Sequence, residues 1–298
     1  MKAAISFRTR WTAGLLVAGL LLAACSVDEP KTIIRNKGSD TLLNAATAWS
    51  ESYRAVDSTV EVLVSGGGSG TGIAALLSGT VDIANSSRAI RGREQEMARS
   101  NGLNPVQHIV GHDALAIYLH PNNPLAAITL EQLAEIFGDG GGISHWTDLG
   151  VEVPACQGQE ITLTGRQNSS GTYAYFRDRV LNGGDFKLGM RDLRASADVE
   201  LAVEQEPCAI GYGGLAHATE KVKLACVSPG TGSACVMPSI DSAADGSYPI
   251  SRPLSLYTNG RPKGPLGQYI DWIKGREGQC IILKNGHAPV VRSPCKRT

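Results

Sequence analysis

Three times along this chain a short apolar alternation with the period of a strand runs into a loop of Ser, Thr and Gly and then continues at helical spacing. The fullest instance is Ser65-Gly66-Gly67-Gly68-Ser69-Gly70-Thr71-Gly72, which follows Val60, Val62 and Val64 and precedes Ile73, Ala74, Ala75, Leu76 and Leu77. Residues 32–35 lead in the same way through Gly38-Ser39-Asp40-Thr41 to Leu42, Leu43, Ala45, Ala46, Trp49 and Tyr53. Residues 161–164 lead through Arg166 and Asn168-Ser169-Ser170-Gly171-Thr172 to Tyr173, Phe176 and Val180. Such alternation restricts the chain to α/β lobes with largely parallel sheets. In those sheets ligands bind beyond the carboxyl ends of the strands, and all three loops occupy that position.

The chemistry of the loops narrows the ligand. The first N–H groups of a helix have no intrahelical partner, and the helix dipole favours negative charge beside them. Glycine lets the backbone come close, and hydroxyls add donors. Converging, the loops would surround a tetrahedral oxyanion with Ser39, Asp40 and Thr41, with Ser69, Gly70 and Thr71, and with Ser170, Gly171 and Thr172. Arg166 supplies a planar cation that can hold two oxygens at once, and Arg88, after Ser86-Ser87, is a second candidate. Each loop alone reads equally well as a turn and helix cap. Their repetition beside an arginine points to one anion site.

The rest of the chain continues the pattern. Strands are expected at residues 80–84, 106–110, 112–119, 209–213 and 254–257, and helices at 94–100, 129–137 with Thr129 as N-cap, 198–205 and 267–275. Residues 231–247 are small and polar and read as an irregular loop, and the basic tail is short.

The N-terminus is a separate matter. Lys2, Arg8 and Arg10 precede an apolar run over residues 13–24, which is shorter than the ~20 residues of a spanning helix, so residues 1–24 read as a removed signal. Leu22-Ala23-Ala24-Cys25 resembles a bacterial lipobox, which implies a lipid on Cys25, a tether over residues 25–31 and attachment to a membrane in the periplasm or at the cell surface. Ser26 in place of Asp does not mark inner-membrane retention. Without the three basic residues of the signal, 25 Lys+Arg face 28 Asp+Glu, a mature net charge of −3 that speaks against a nucleic-acid partner.

Beyond Cys25 stand Cys156, Cys208, Cys226, Cys235, Cys280 and Cys295, an even number in an exported chain, so disulfides are the default. Sequence alone does not choose the pairing; Cys226 with Cys235, Cys280 with Cys295 and Cys156 with Cys208 is the arrangement favoured. No cysteine or histidine spacing fits a metal, so neither metal nor cofactor is expected. Enzyme signatures fail as well. Thr71 occupies the last position of a GxSxG elbow around Ser69, a P-loop is absent, and the loose dinucleotide match Gly70-x-Gly72-x-x-Ala75 lacks its acidic residue on the next strand end.

Gly38-Ser39-Asp40-Thr41, the run GGGSGTGI from Gly66, VDIANSSRAI from Val81, DALAIYLHPNNP from Asp113 and RQNSSGTYAYF from Arg166 resemble, in order, the motifs of PstS-type phosphate-binding proteins, the solute receptors of the phosphate ABC importer. The likeness covers residues 32–257. It implies the two-lobe periplasmic-binding-protein fold: two mixed, mostly parallel sheets with flanking helices, a two-strand hinge and an anion site in the cleft between lobes. The lobes would be residues 32–113 with 256–298, and residues 114–255, with the chain crossing near 111–116 and returning near 250–256. Carried over motif by motif, the phosphate ligands are the backbone N–H groups of Thr41 and Leu42, with Ser69, Ser87, Arg166, Ser170, Gly171 and Thr172. Two positions depart from the family: Ser87 stands where an Asp commonly accepts the proton of monohydrogen phosphate, and Asn168 where an Asp braces the arginine. An ionised carboxylate only accepts, so its loss removes a barrier to sulfate unless Asp40 replaces it. The resemblance implies a monomeric receptor without enzymatic activity, with an ABC permease and ATPase as partners. The alternatives are a receptor for sulfate or arsenate, or a phosphate-sensing surface lipoprotein.

Overall fold

Ile34 on the first strand and Val60 and Val62 on the second turn to a common core while residues between them stay nearer solvent, and this alternation starts the sheet. The computed structural model describes residues 31–292 and Cys295. The signal over residues 1–24, Cys25 and all of the tether but Lys31 lie outside the described residues.

From Lys31 onward the elements come in the order β1 (Thr32–Gly38), a 3-10 turn (Asp40–Leu42), α1 (Leu43–Tyr53), β2 (Val60–Ser65), α2 (Ser69–Leu77), β3 (Ile83–Ser86) and α3 (Gly92–Ser100). Then follow β4 (Pro105–Leu119), β5 (Ala127–Thr129), α4 (Leu130–Phe137), β6 (Thr162–Arg166), α5 (Gly171–Arg179), β7 (Arg191–Leu193) and α6 (Ser196–Gln205). The last stretch carries β8 (Ala209–Gly214), β9 (Lys223–Leu224), β10 (Cys226–Ser228), α7 (Ile240–Ala244), β11 (Ser251–Asn259), α8 (Gly264–Lys274) and α9 (Arg276–Lys284).

One mixed sheet runs in the order β2-β1-β3-β11-β4-β8-β6-β7, with β9 beside β4. β1 is parallel to β2 and β3, and β6 is parallel to β7 and β8, so the loops after these strands leave from carboxyl ends. β4, at 15 residues, lies antiparallel to β11 along its first part and to β8 along its last. Apolar cores form against the sheet, the two largest among the described residues as follows. Trp49, Leu254, Tyr269 and Ile282 gather under β1 and β2, while Leu115, Phe137, Phe176 and Tyr212 gather under β6 and β8, where the Phe176 and Tyr212 rings stack at 4.0 Å.

The local signals account for most boundaries. Thr129 caps α4 by accepting from the Gln132 N–H at 3.0 Å, and the Gln132 side chain accepts from the Thr129 N–H at 2.9 Å, which leaves Leu133, Ile136 and Phe137 facing inward. Residues 106–119 form one strand, not two, because β11 pairs straight past Gly111 with only a register shift opposite Leu254 and Ser255. The short helix α7, capped by Ser239, interrupts the loop expected at 231–247. Residues 276–284 form a helix the sequence did not announce: α9 packs on α1, where the Trp49 indole donates to the Gly278 carbonyl at 2.8 Å. The disulfides are Cys156–Cys208, Cys226–Cys235 and Cys280–Cys295, the same pairs the sequence favoured.

Candidate functional site

Four loops meet where β1, β2, β3 and β6 end. Ser39 Oγ donates to Ser87 Oγ at 3.1 Å, Ser87 Oγ lies 3.3 Å from Ser69 Oγ, and the Ser87 N–H donates to Ser69 Oγ at 3.1 Å. Thr41 Oγ1 and Thr172 Oγ1 are 3.3 Å apart. Ser170 caps α5, its Oγ accepting from the Thr172 N–H at 3.1 Å. Gly171 sits between these groups: a Cβ there would overlap the hydroxyls of Ser69 and Ser87, so the residue type is set by the approach of other loops. The six hydroxyl residues are at most 3 % exposed.

The sequence pattern explains the convergence. Gly68, with φ at 95°, turns the chain from β2 into α2 and lets its backbone pass against Ser169 of the loop after β6. The Gly70 N–H donates to the Ser169 carbonyl at 3.0 Å, and the Gly68 N–H to the Gly38 carbonyl at 3.0 Å, so backbone bonds join loops from both ends of the sheet.

Arg166, the last residue of β6, is buried. Its Nη1 donates to Ser196 Oγ at 2.8 Å, and its Nη2 to the Arg194 carbonyl and to Asp40 Oδ2, the latter at 3.2 Å. Asp40 Oδ1 accepts from the Gly67 N–H at 2.8 Å. Burial pulls the guanidinium below its ordinary value, and Asp40 opposes that pull. Arg166 Nε is buried and has no hydrogen-bond partner among the described residues. The carboxylate beside this arginine is therefore Asp40; Asn168 is exposed and makes no bond to it.

Some of the expected residues bond within the frame. The Leu42 N–H, expected as an anion donor, goes to the Ser39 carbonyl at 3.2 Å, and the Thr71 hydroxyl to the Gly68 carbonyl at 2.9 Å. Arg88 forms a two-pronged pair with Glu94 at 2.7 and 2.8 Å.

Three further residues stand under the hydroxyls. Arg252 on β11 and Asp113 on β4 are register partners, and Asp113 Oδ2 accepts from Arg252 Nη2 at 2.7 Å and from Nε at 3.1 Å. Arg252 Nη2 also lies 3.0 Å from Thr172 Oγ1 and 3.3 Å from Thr41 Oγ1. His287, just past α9, places Nε2 3.2 Å from the Thr41 carbonyl and Nδ1 3.5 Å from Asp113 Oδ1. Sequence reading passed over all three. The available signal was the one formal charge on each of two long strands, Asp113 on β4 and Arg252 on β11, which in a buried sheet calls for a counter-charge.

Beside Asp40 opens a cavity of about 340 Å³ lined by Gly67, Gln167, Ser169, Arg194, Ala195 and Asp198. Among the described residues no group of His, Cys, Asp and Glu could hold a metal ion, and no helix is long and apolar enough to cross a membrane. The arrangement is that of an oxyanion site, with buried donors, two buried guanidinium groups and one partly open carboxylate.

Comparison with known proteins agrees with this geometry. The PBP superfamily domain matches residues 26–277. The phosphate-binding protein PstS of Pseudomonas aeruginosa is 33 % identical over 264 residues, covering 85 % of this chain and 81 % of its own length. PstS of Bacillus subtilis is 30 % identical over 254 residues, covering 85 % and 79 %. Among solved structures, an ABC-type phosphate transport receptor from Vibrio cholerae superposes with a TM-score of 0.69 at 23 % identity, over 86 % of this chain and 99 % of that one. PstS from Borrelia burgdorferi does so with 0.58 at 25 %, over 87 % and 99 %. Converging hydroxyl loops on a sheet of this topology, and relatives aligned along nearly its whole length, have one reading in common: the chain belongs to the PBP superfamily and, within it, to the PstS-type phosphate-binding proteins.

Proposed function

We propose that this chain is an exported receptor that captures inorganic phosphate and hands it to an ABC importer. The observation that carries the reading is the buried set of hydroxyls, Ser39, Ser69 and Ser87 in mutual contact and Thr41 and Thr172 in contact with each other, brought together from four loops. Helix-start amides and hydroxyls hold an oxyanion at fixed points without requiring full neutralisation by cations. Relatives from Pseudomonas aeruginosa and Bacillus subtilis are named phosphate-binding proteins, which supports the same ligand here. No bond of the ligand changes, so the chain works as a receptor and not as an enzyme.

In this reading the ligands are Thr41, Leu42, Ser69, Ser87, Arg166, Ser170, Gly171 and Thr172. Residues 32–113 with 256–298 form one lobe and 114–255 the other, and the lobes close by bending where β4 and β11 run side by side. Asp40 takes the part left open by Ser87 and Asn168: its carboxylate, braced by Arg166, accepts the proton of monohydrogen phosphate, which sulfate lacks. A lipid on Cys25 holds the receptor at a membrane.

Calorimetry of the mature chain with phosphate and with sulfate at neutral pH tests the reading. Binding of phosphate in preference to sulfate is expected; no heat with phosphate overturns it. Mass spectrometry of the mature N-terminus tests the anchor, and an unmodified terminus upstream of Cys25 excludes it.

A further inference from the structure

Arg252 is held from several sides beneath the site. Its carboxylate partner Asp113 faces it across β4 and β11, both side chains at 0 % exposure, and the Tyr175 ring lies under the guanidinium at 5.7 Å from its centroid. Tyr175 is in turn tied by its hydroxyl to the Ser251 carbonyl, one residue before Arg252. Nη2 then reaches the hydroxyl oxygens of Thr41 and Thr172, while Nη1, buried as well, has no partner among the described residues. A buried ion pair adds little net stability over apolar packing, so stability alone does not account for its place beneath the site.

We propose that Arg252 is a positioning residue that sets the polarity of the anion site. A hydroxyl carries one proton and can both donate and accept. When a guanidinium donates to its oxygen, that proton must point elsewhere; Thr41 and Thr172 lie 3.3 Å apart, so one can donate to the other while the second donates to the anion. Arg252 thus fixes these two ambivalent groups as a donating pair and carries its charge to the ligand through them. Thr41 follows β1 and Thr172 opens α5, so both bonds exist only when the two loops lie together; the donor set is complete only in that arrangement. His287 extends the same network to the backbone of the Thr41 loop through its carbonyl.

The proposal rests on the phosphate reading, and its test separates the two. Phosphate affinity of the full mature chain is measured by calorimetry for the unmodified protein, R252M and R252K, and for R252M on the T41V/T172V background. R252M is expected to weaken phosphate binding about tenfold or more, and R252K to recover part of the loss. On the valine background, where no hydroxyl remains to orient, R252M should change affinity less than about twofold. Equal affinity of R252M and the unmodified protein, or the same loss with and without the threonine hydroxyls, overturns the role of Arg252. Absence of phosphate binding by the unmodified protein overturns the phosphate reading and this proposal with it. Because R252M strands the Asp113 charge, the R252M/D113N pair is measured beside it, with melting curves to establish folding; the same loss of affinity is expected there.

Discussion

Asp40 and Arg166 meet at 3.2 Å across 126 residues of sequence, one from the turn after β1 and the other from the end of β6. Their strands lie in the outer parts of the sheet, separated by β3, β11, β4 and β8, so this contact spans the site from side to side. Through Asp40 Oδ1 it reaches the loop after β2 as well.

Removing either partner should therefore weaken phosphate binding. Arg166→Ala deletes the cation of a charge-assisted pair and is expected to cost at least about tenfold in affinity. Asp40→Asn keeps an acceptor for the Gly67 N–H but loses the charge, so a smaller fall is expected together with a reduced preference for phosphate over sulfate. Calorimetry with both anions checks this; unchanged affinity in Arg166→Ala would place the anion elsewhere.

Gly171→Ala should damage the site at its centre. The added methyl meets two hydroxyls held by other loops, so the loops must part. Overpacking of this kind costs roughly 1–3 kcal/mol in stability. Phosphate affinity should fall more than affinity in a control such as Gly92→Ala, where a Cβ meets nothing and the backbone is ordinary; urea titration and calorimetry give the two readouts.

Acid should weaken the fold in two stages. Burial holds His108, His112 and His217 below the ordinary histidine value. Such groups take up protons on unfolding, so stability declines as pH drops through the unfolded value of about 6.5. Burial pushes the Asp113 carboxyl up, but the Arg252 guanidinium and His287 outweigh it and leave the group below its ordinary value. That contribution is present above about pH 4 and is lost as pH falls further through the folded value. Melting temperatures should fall gently below about pH 6.5 and steeply below about pH 4, and His217→Asn should flatten the first stage. A curve level down to pH 4 would contradict the histidine part.

The disulfides should differ in worth. Cys156–Cys208 spans 52 residues and Cys226–Cys235 nine. Loop-closure entropy assigns about 4 kcal/mol to the longer and about 3 to the shorter. The C156A/C208A pair should therefore lower the urea midpoint more than C226A/C235A; the reverse order would rule out chain entropy as the main term.

The strand-loop-helix units were legible because each is local: alternation, glycine and hydroxyls, then helical spacing, all within about a dozen residues. Gly38-Ser39-Asp40-Thr41, Gly68-Ser69 and Ser170-Gly171-Thr172 stood out for that reason. Arg252, Asp113 and His287 did not, because the partner that explains each charge is 139 or more residues away or lies past the last recognised helix. The same limit hid α9. Its apolar residues Ile281, Ile282 and Leu283 are consecutive and show no periodic stripe, and what holds the helix is Trp49, far back in the chain. Asp40 shows a third case: the resemblance drew attention to position 168 for a bracing carboxylate, whereas spatial convergence supplied one from another loop.

The place of β11 between β3 and β4 has a consequence for the order in which the molecule can be completed. Leu254, Leu256, Tyr269, Ile270, Ile273 and Ile282 belong to the same core as Ile34 and Trp49, so the earliest strands close only onto the latest part of the polypeptide. A chain released from its N-terminus carries β1, β2 and β3 with an open edge and an unroofed core until residues 251–284 arrive. Contacts of such sequence separation form slowly. The sheet can therefore close only once most of the molecule has been made, and any fragment ending before residue 251 leaves β3 and β4 without the strand that joins them.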